Sequence, residues 1–347
     1  MSTQGSALES ARETTEDPDH SQPSEYIITC DWARKMRLLR TIGLNVPDSN
    51  HPIYRETIDG LIARIRGVFP SGTIKVTDMR ELSEEIIGRA MARKNSLRNA
   101  TIVSTCPEIA QLKGGHSLEI NRIVDIHGHL LGLGPRPGHS SINAQVNALQ
   151  YAIGKDPVIL VEDGAFTGGT MLRVYELLHR ANIRVEAIVI GYAFTKALKT
   201  IRANFPGEVL VVEEVGNFID WMPDHDFFPF TPNCGRVVGV KWHDQCLPLY
   251  SDTGASFAIP YLASFCPMEE WTSIPKRAAY ELSMYCLHCV CDFYREVEIL
   301  NGKEITFRDL VGMQPRVSYP LAVGSKFLPG LEQRVTEYVA DVIRELD

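Results

Sequence analysis

The sequence contains no long apolar segment and no leader-like beginning. No run of 18 consecutive apolar residues occurs, so no membrane-spanning helix is predicted. The first residues also lack the basic region and the apolar region that together form a secretory signal peptide. We therefore expect a cytoplasmic protein that has no membrane partner.

Positive charge is scarce in this chain. Lys and Arg number 35 against 43 Asp and Glu, which gives a formal net charge of −8. Nucleic acids and anionic lipids both attract proteins through clustered positive charge. We therefore expect no nucleic-acid partner, and a phosphorylated small molecule would have to be held by local groups.

The eight cysteines are scattered and lack the paired spacings of a small disulfide scaffold. Three of them, Cys286, Cys289 and Cys291, lie with His288 in an apolar stretch of helical periodicity, where Cys286 and Cys289 share a face. A metal site on this stretch is less favoured than cysteines buried in the core. We expect reduced thiols, with Cys106 also in a structural role.

Composition divides the chain into three segments. Residues 1–24 have almost no large apolar side chains and are rich in Ser, Thr, Glu and Asp, which is typical of a disordered tail. Residues 25–259 are predicted to form one α/β domain with a small hood. Residues 260–347 are predicted to form a mainly helical C-terminal extension, which would bind a partner or form a homodimer.

Hydrophobic periodicity predicts the fold class. Two helices are predicted before the first strand, one over residues 54–68 and one that begins behind a cap at Ser83. From Ala100 onward, after a hairpin around His127 and Gly128, short apolar strands alternate with amphipathic helices. This alternation is typical of an α/β fold with a central, mostly parallel sheet and helices on both faces.

The segment VILVEDGAFTGGT, residues 158–170, carries the strongest chemical signal. A buried strand ends in Glu162 and Asp163, and a TGGT turn at residues 167–170 leads into a helix. Backbone N–H groups at a helix start bind phosphate with the help of the helix dipole, and threonine hydroxyls add donors. The two carboxylates would then lie within reach of ribose hydroxyls. The alternative is an ordinary connection in which Asp163 and Thr167 only cap the helix.

This segment resembles the signature of the type I phosphoribosyltransferase family, which consists of an apolar strand, two acids, a short apolar stretch and a Thr-Gly-any-Thr ending. The resemblance implies that family's fold and the transfer of ribose 5-phosphate from phosphoribosyl pyrophosphate to a nitrogenous, nucleobase-like acceptor, with release of pyrophosphate. It implies that Glu162 and Asp163 bind the ribose hydroxyls and a Mg²⁺ cofactor, with Asp163 also acting as a base toward the acceptor. It further implies a 5-phosphate site formed by Phe166, Thr167, Gly168, Gly169 and Thr170.

The same resemblance assigns roles to flanking segments. Ser104 and Thr105, in the loop after an earlier strand, are expected to contact pyrophosphate. The hairpin that follows is expected to close over the site, with Arg136 and His139 meeting the pyrophosphate charge. A solvated turn is an equally good interpretation of this hairpin end. Weaker candidates of the same kind are Asn121 and Arg122.

An aromatic, proline-rich stretch follows Asp220 and corresponds to the hood that this family builds over the acceptor. Its aromatic rings are expected either to stack on a planar acceptor or to pack the hood against the sheet, and packing is favoured. The residues concerned are Trp221, Phe227, Phe228 and Phe230, together with Asp224 and Asp226.

The centre of the motif, Gly164-Ala165-Phe166, departs from the aliphatic pair and small residue that the family has there. This departure leaves room for a sensor of phosphoribosyl pyrophosphate or nucleotides without catalysis, although no DNA-binding domain is recognisable. A ribose-phosphate hydrolase is a further alternative. A pyrophosphokinase would need an ATP site, and the sequence has no Gly-rich nucleotide loop.

Overall fold

The computed structural model describes residues 24–97, 99–106, 109, 115–252, 254–311, 319–320 and 329–346. The disordered tail predicted for residues 1–24 therefore lies outside the described residues, apart from Ser24. The strands are β1 (Glu25–Cys30), β2 (Thr73–Asp78), β3 (Thr101–Ser104), β4 (His116–Ser117), β5 (Ile120–Val124), β6 (Leu130–Pro135), β7 (Val158–Ala165), β8 (Val185–Phe194), β9 (Glu208–Val215), β10 (Phe218–Pro223), β11 (Arg236–Trp242), β12 (Gln245–Pro248), β13 (Phe257–Ile259) and β14 (Tyr319–Pro320).

Helices connect these strands and make up most of the C-terminal part. They are α1 (Trp32–Met36), α2 (Pro52–Val68), α3 (Met79–Asn95), α4 (Ile142–Ile153), α5 (Gly169–Arg180), α6 (Thr195–Asn204), α7 (Met268–Trp271), α8 (Lys276–Asn301), α9 (Phe307–Leu310) and α10 (Val335–Leu346). Two 3₁₀ segments, Arg37–Ile42 and Asp224–Phe227, complete the regular structure of the described residues.

The largest all-parallel sheet has the strand order β4-β3-β7-β8-β9. Its central strands are apolar because they are covered, with residues 158–161 of β7 and 187–194 of β8 buried. Helices α3, α5 and α6 pack against these strands. The chain is therefore an α/β protein with mostly parallel sheets, as the alternation of strands and helices predicted.

A second parallel sheet, of order β10-β1-β2, was missed by the sequence analysis. The prediction that two helices precede the first strand is wrong, since β1 precedes α2 and β2 separates α2 from α3. A short segment such as EYIITC in β1 cannot be assigned by periodicity alone. Its strand partner β10 lies about 190 residues away in the chain, beyond the reach of any local pattern.

The third sheet is mixed, with the order β14-β13-β11-β5-β6 and with β12 paired to β11. Strands β5 and β6 form the antiparallel hairpin predicted around His127 and Gly128. The turn is closed by Asp125, whose backbone carbonyl accepts the N–H of Gly128 at 3.0 Å. This hairpin borders the cleft described below.

Helix α3 begins earlier than predicted. Its N-cap is Asp78, whose carboxylate accepts the N–H groups of Arg80 and Glu81 at 2.7 and 3.4 Å. The predicted cap, Ser83, is buried inside the helix and its hydroxyl donates to the carbonyl of Met79 at 2.6 Å. The prediction was wrong because Ser and Asp are both good N-caps, and Asp78 occurs first.

Two large hydrophobic cores stabilise the described part of the chain, beside a small third cluster of Ile123, Val237 and Cys246. One lies between the large parallel sheet and its helices, and the other joins β1, α2, the hood and the C-terminal helices α8 and α10. Phe227, Phe228 and Phe230 are fully buried in this second core, where Phe230 contacts Phe307 at a ring distance of 5.0 Å. These three rings are buried, as the packing interpretation expected, but they belong to the core of the terminal segments and not to that of the large sheet. The predicted domain boundary at residue 259 stays a prediction.

Helix α8 is 26 residues long and carries the cysteines that had invited a metal interpretation. Cys286, Cys289 and Cys291 are buried and all eight cysteines are free thiols. Burial raises the pKa of the Cys286 thiol, as expected for a core side chain. Within the described ranges, no helix combines the length and apolarity needed to cross a bilayer.

Candidate active site at the ends of two parallel sheets

A cleft of about 400 Å³ lies where strands of two parallel sheets end. Strands β3 and β7 of the large sheet reach it with their carboxyl ends, as do β1 and β10 of the small sheet. Parallel α/β sheets place their ligands at such carboxyl ends, because loops and helix starts converge there. The hairpin of β5 and β6 and the start of β11 complete the wall.

The two predicted catalytic acids lie side by side in this cleft. Glu162 and Asp163 both line it at the end of β7. Burial and the neighbouring Asp163 carboxylate raise the pKa of Glu162 well above its usual value, although Arg136 opposes this. The Sγ of Cys106 donates to the Asp163 carboxylate at 3.6 Å. The pair therefore forms a crowded, acidic corner of the cleft.

The predicted phosphate loop opens helix α5. Phe166, Thr167, Gly168 and Thr170 line the cleft, whereas Gly169 is the first helical residue and does not. Gly168 has a left-handed φ of 81°, and a Cβ there would lie 2.8 Å from the side chain of Ile201. Only glycine fits this turn, which brings the start of α5 to the cleft. The first N–H of the helix, that of Gly169, donates to the Thr167 hydroxyl at 3.4 Å.

The unusual centre of the motif has a structural reason in the hood. Gly164 faces Trp221, and a Cβ at this position would lie 2.3 Å from Cζ3 of the indole ring. Phe166 packs edge-on against Phe194 and Phe218, with ring centroids 5.0 Å apart in both pairs. The departure from the family pattern therefore matches an indole that occupies the space beside the strand.

The loop after β3 contributes differently from what was predicted. Thr105 lines the cleft, and its hydroxyl is buried without a hydrogen-bond partner among the described residues. Ser104 is buried and does not line the cleft. Its hydroxyl donates to the Cys106 carbonyl at 2.8 Å and accepts the Cys106 N–H at 3.1 Å, so it shapes the loop.

The β5–β6 hairpin brings a cation to the site. Arg136 lines the cleft, with its Nε 3.5 Å from a carboxylate oxygen of Glu119. That nitrogen is buried and donates no hydrogen bond within the described structure. Asn121 and Arg122 also line the cleft, whereas His139 does not. Of the two predicted cations, the hairpin therefore brings Arg136 but not His139 to the cleft, and contact with pyrophosphate stays a prediction.

Three buried polar atoms that lack a hydrogen-bond partner border the same cleft. They are the Thr105 hydroxyl, the Arg136 Nε and the indole Nε1 of Trp221, judged over the described residues. Buried polar groups in native proteins are nearly always hydrogen-bonded, to protein, water or ligand. These three donors are therefore available to water or to a polar ligand in the cleft.

Sequence analysis missed the contribution of the small parallel sheet. Asp31 and Lys35 follow β1, and their side chains form an ion pair of 3.3 Å. The other carboxylate oxygen of Asp31 lies 2.6 Å from Nδ1 of His225, which follows β10. Asp31 comes directly after a short apolar run, the same signal that marked Glu162 and Asp163. That signal was overlooked because β1 and β10 were not recognised as strands.

Asp31, Asp224 and His225 bring ligand-type atoms within 4.8 Å of one another, as a metal site requires. Their atoms are already engaged, however. Asp224 accepts the backbone N–H groups of Asp31 and Trp32 at 2.9 and 3.0 Å, and Asp31 faces the ammonium of Lys35. Burial and the nearby Asp31 raise the pKa of Asp224. These hydrogen bonds and the ion pair with Lys35 hold the cluster together, and its ligand-type atoms are also close enough to bind a metal ion.

A further cation was also missed. Arg236 begins β11 and lines the cleft together with Tyr261 and Trp271. No local motif marks these residues, because they come from three separate segments that meet only in the folded chain.

Comparison with known proteins adds little to this geometry. No family model matches the sequence, and no curated protein matches it. Among solved structures the chain is similar to one described as the crystal structure of TT1426 from Thermus thermophilus, with 16% sequence identity and a TM-score of 0.26. The similarity covers 40% of this chain and 83% of that chain. A TM-score this low carries no argument about fold or function.

Proposed function

We propose that this chain has the type I phosphoribosyltransferase fold and transfers ribose 5-phosphate from phosphoribosyl pyrophosphate to a nitrogenous acceptor. The observation that carries the proposal is the arrangement at the end of β7. There, Glu162 and Asp163 line the same cleft as the helix start that follows the TGGT turn. Carboxylates beside a phosphate-binding helix start are the two halves of a ribose-phosphate site.

Different residues of the cleft are assigned to different parts of the donor, phosphoribosyl pyrophosphate. The N–H groups at the start of α5 and the hydroxyls of Thr167 and Thr170 hold the 5-phosphate, while Glu162 and Asp163 accept ribose hydroxyls. The Thr105 hydroxyl and the Arg136 Nε donate no hydrogen bond in the described structure, although that nitrogen lies 3.5 Å from a Glu119 carboxylate oxygen. We assign both residues to the pyrophosphate oxygens, because both line the cleft. A guanidinium that meets negative charge as it develops on the leaving group favours bond cleavage.

The acid pair also fits a divalent cation. Glu162 and Asp163 provide hard oxygen ligands, and their crowding, which raises the pKa of Glu162, would be relieved by positive charge between them. Magnesium bound here would neutralise the pyrophosphate charge. Asp163 accepts a hydrogen bond from Cys106 and lines the cleft, so it is also the residue we assign as the base for the acceptor proton.

Ligand binding provides the first test. Phosphoribosyl pyrophosphate with MgCl₂ is expected to raise the melting temperature, because a ligand at 100 times its Kd stabilises the folded state by about 2.7 kcal/mol. Asp163→Asn should weaken this shift. The matched control is Asp156→Asn, which removes a carboxylate just before the opposite end of β7. An unchanged melting curve of the wild type at millimolar ligand would refute the proposal.

Catalysis is tested separately by pyrophosphate release. The assay covers purine, pyrimidine and small aromatic acceptors in the presence of donor and magnesium. Release with at least one acceptor supports the transferase. A melting shift without release from any acceptor would instead favour the sensor that the altered motif had left open, and release without an acceptor would favour a hydrolase.

The wider setting is part of the same proposal. We place the enzyme in nucleotide metabolism in the cytoplasm, acting on small molecules as a homodimer. Gel filtration with light scattering tests the dimer directly.

A further inference from the structure

A second cation in the cleft is held in a fixed orientation by aromatic side chains. The guanidinium carbon of Arg236 lies 4.0 Å from the ring centre of Trp271 and 5.2 Å from that of Tyr261. Its Nε donates a hydrogen bond to the Tyr261 hydroxyl at 2.9 Å. Trp271 is itself confined, since a Cβ on Gly128 would lie 2.7 Å from its ring. Arg236 is therefore preorganised, with its terminal nitrogens left as donors.

The nearby carboxylates of the cleft, those of Asp220 and Asp226, accept hydrogen bonds from backbone N–H groups. The carboxylate of Asp220 accepts the backbone N–H groups of Trp221 and Ser273 at 2.9 and 2.7 Å. That of Asp226 accepts the N–H of Gly235 at 2.8 Å. Within the part of the chain that the structure describes, no carboxylate lies within 4.0 Å of the Arg236 guanidinium. The guanidinium of Arg236 is thus stacked on aromatic rings, and no acid among the described residues neutralises its charge.

An arginine in this setting has a definite preference. Its planar fork of N–H groups matches two oxygens of a carboxylate or of a phosphate, and stacking on aromatic rings reduces the entropy lost when it binds. In the proposed function, the phosphates and ribose of the donor are bound at the start of α5, at Thr105 and at Arg136, all of which line the cleft. The anion that Arg236 would bind is therefore one that the donor does not supply.

Aromatic surface in the cleft indicates what carries this anion. Trp221 and Trp271 both line the cleft, and the free edge of Arg236 lies beside the second of them. Indole faces bind flat rings by stacking. We propose that the cleft binds a planar nitrogen heterocycle that bears a carboxylate, which is recognised by Arg236. The choice of a carboxylate over a phosphate, and the assignment of this ring as the acceptor, both rest on the proposed function.

Pairs of acids and their amides test how much the carboxylate contributes to binding. Pyridine-3-carboxylate is compared with pyridine-3-carboxamide, and pyrimidine-4-carboxylate with pyrimidine-4-carboxamide, by calorimetric titration of the full chain with and without phosphoribosyl pyrophosphate and MgCl₂. We expect at least one carboxylate to bind about tenfold or more tightly than its amide, as for a charge-assisted bidentate pair. Arg236→Gln should abolish that preference. Arg295→Gln, which removes an exposed cation of α8, should retain it.

The outcomes separate this inference from the proposed function. Equal binding of acid and amide, saturable binding of neither, or discrimination that survives in Arg236→Gln would each overturn it. Loss of the donor-induced melting shift in Arg236→Gln with unchanged ring discrimination would also overturn it, because Arg236 would then serve pyrophosphate. If the wild type binds a carboxylate through Arg236 but shows no shift with the donor, the proposed function fails and this inference stands.

Discussion

Gly164→Ala tests whether the unusual motif centre is set by the hood. Gly164 lies near the end of β7, where it pairs with Tyr192 of β8. An added Cβ would lie 2.3 and 2.4 Å from Cζ3 and Cη2 of Trp221. Carbon atoms in contact are ordinarily about 3.5–4.0 Å apart. The substitution therefore forces an overlap of more than about 1 Å.

The size of the effect depends on what can move. The backbone of β7 is held between β3 and β8, and Trp221 lies on β10, which pairs with β1. Gly164 does not have a positive φ, so alanine meets no backbone penalty and the cost is purely steric. Overpacking in a well-ordered region costs about 1–3 kcal/mol. We expect a loss of unfolding free energy within that range.

Urea unfolding followed by circular dichroism measures this loss, and a double-mutant cycle assigns it to the ring. In a Trp221→Leu background the clash is removed, so Gly164→Ala should cost less than about 0.5 kcal/mol there. Gly216→Ala is the matched control, because a Cβ at Gly216 meets no atom within 4 Å. Equal costs in both backgrounds, or a cost below about 0.5 kcal/mol in the wild type, would refute the reasoning.

Two further predictions concern ionisable groups. Burial and Asp163 raise the pKa of Glu162 above its ordinary value of 4.5, so its stabilising contribution is complete below that pH and is lost as pH rises through the folded-state pKa. Glu162→Gln should therefore be more stable than the wild type at pH 8. The difference in unfolding free energy should grow by up to about 1.4 kcal/mol for each pH unit between the unfolded-state and folded-state pKa of Glu162. Urea unfolding from pH 5 to 8 measures it, and parallel stability curves for the two proteins would contradict the prediction. Arg334 donates to both oxygens of the buried Glu298 at 2.7 and 2.6 Å, which ties the chain before α10 to α8. Arg334→Ala should cost about 2–4 kcal/mol in urea unfolding, and most of that loss should vanish in a Glu298→Gln background.

Local pattern was sufficient for much of the large sheet. Strands β7 and β8 are covered by helices on both faces, so consecutive positions in them must be apolar. A sequence pattern of this kind can be recognised locally. The acid pair and the TGGT turn were found for the same reason, since consecutive residues form them. Their chemistry was predicted from a handful of adjacent positions.

The rest of the site could not be found this way. Asp31 and His225 are 194 residues apart, and they meet because β1 and β10 are neighbours in a sheet whose strands carry no distinctive periodicity. Arg236, Tyr261 and Trp271 converge from three segments, and the buried donors of Thr105 and Arg136 are recognised only from what surrounds them.

Sequence alone thus determined the α/β class, the acidic strand end and the glycine turn that opens α5, because each depends on the order of neighbouring residues. Only the tertiary structure decided which residues lie across the cleft from the acidic strand end and this turn. Trp221 accounts for Gly164, and the pairing of β10 with β1 places a second row of polar side chains across the cleft. These contacts depend on long-range packing, which no local spacing encodes.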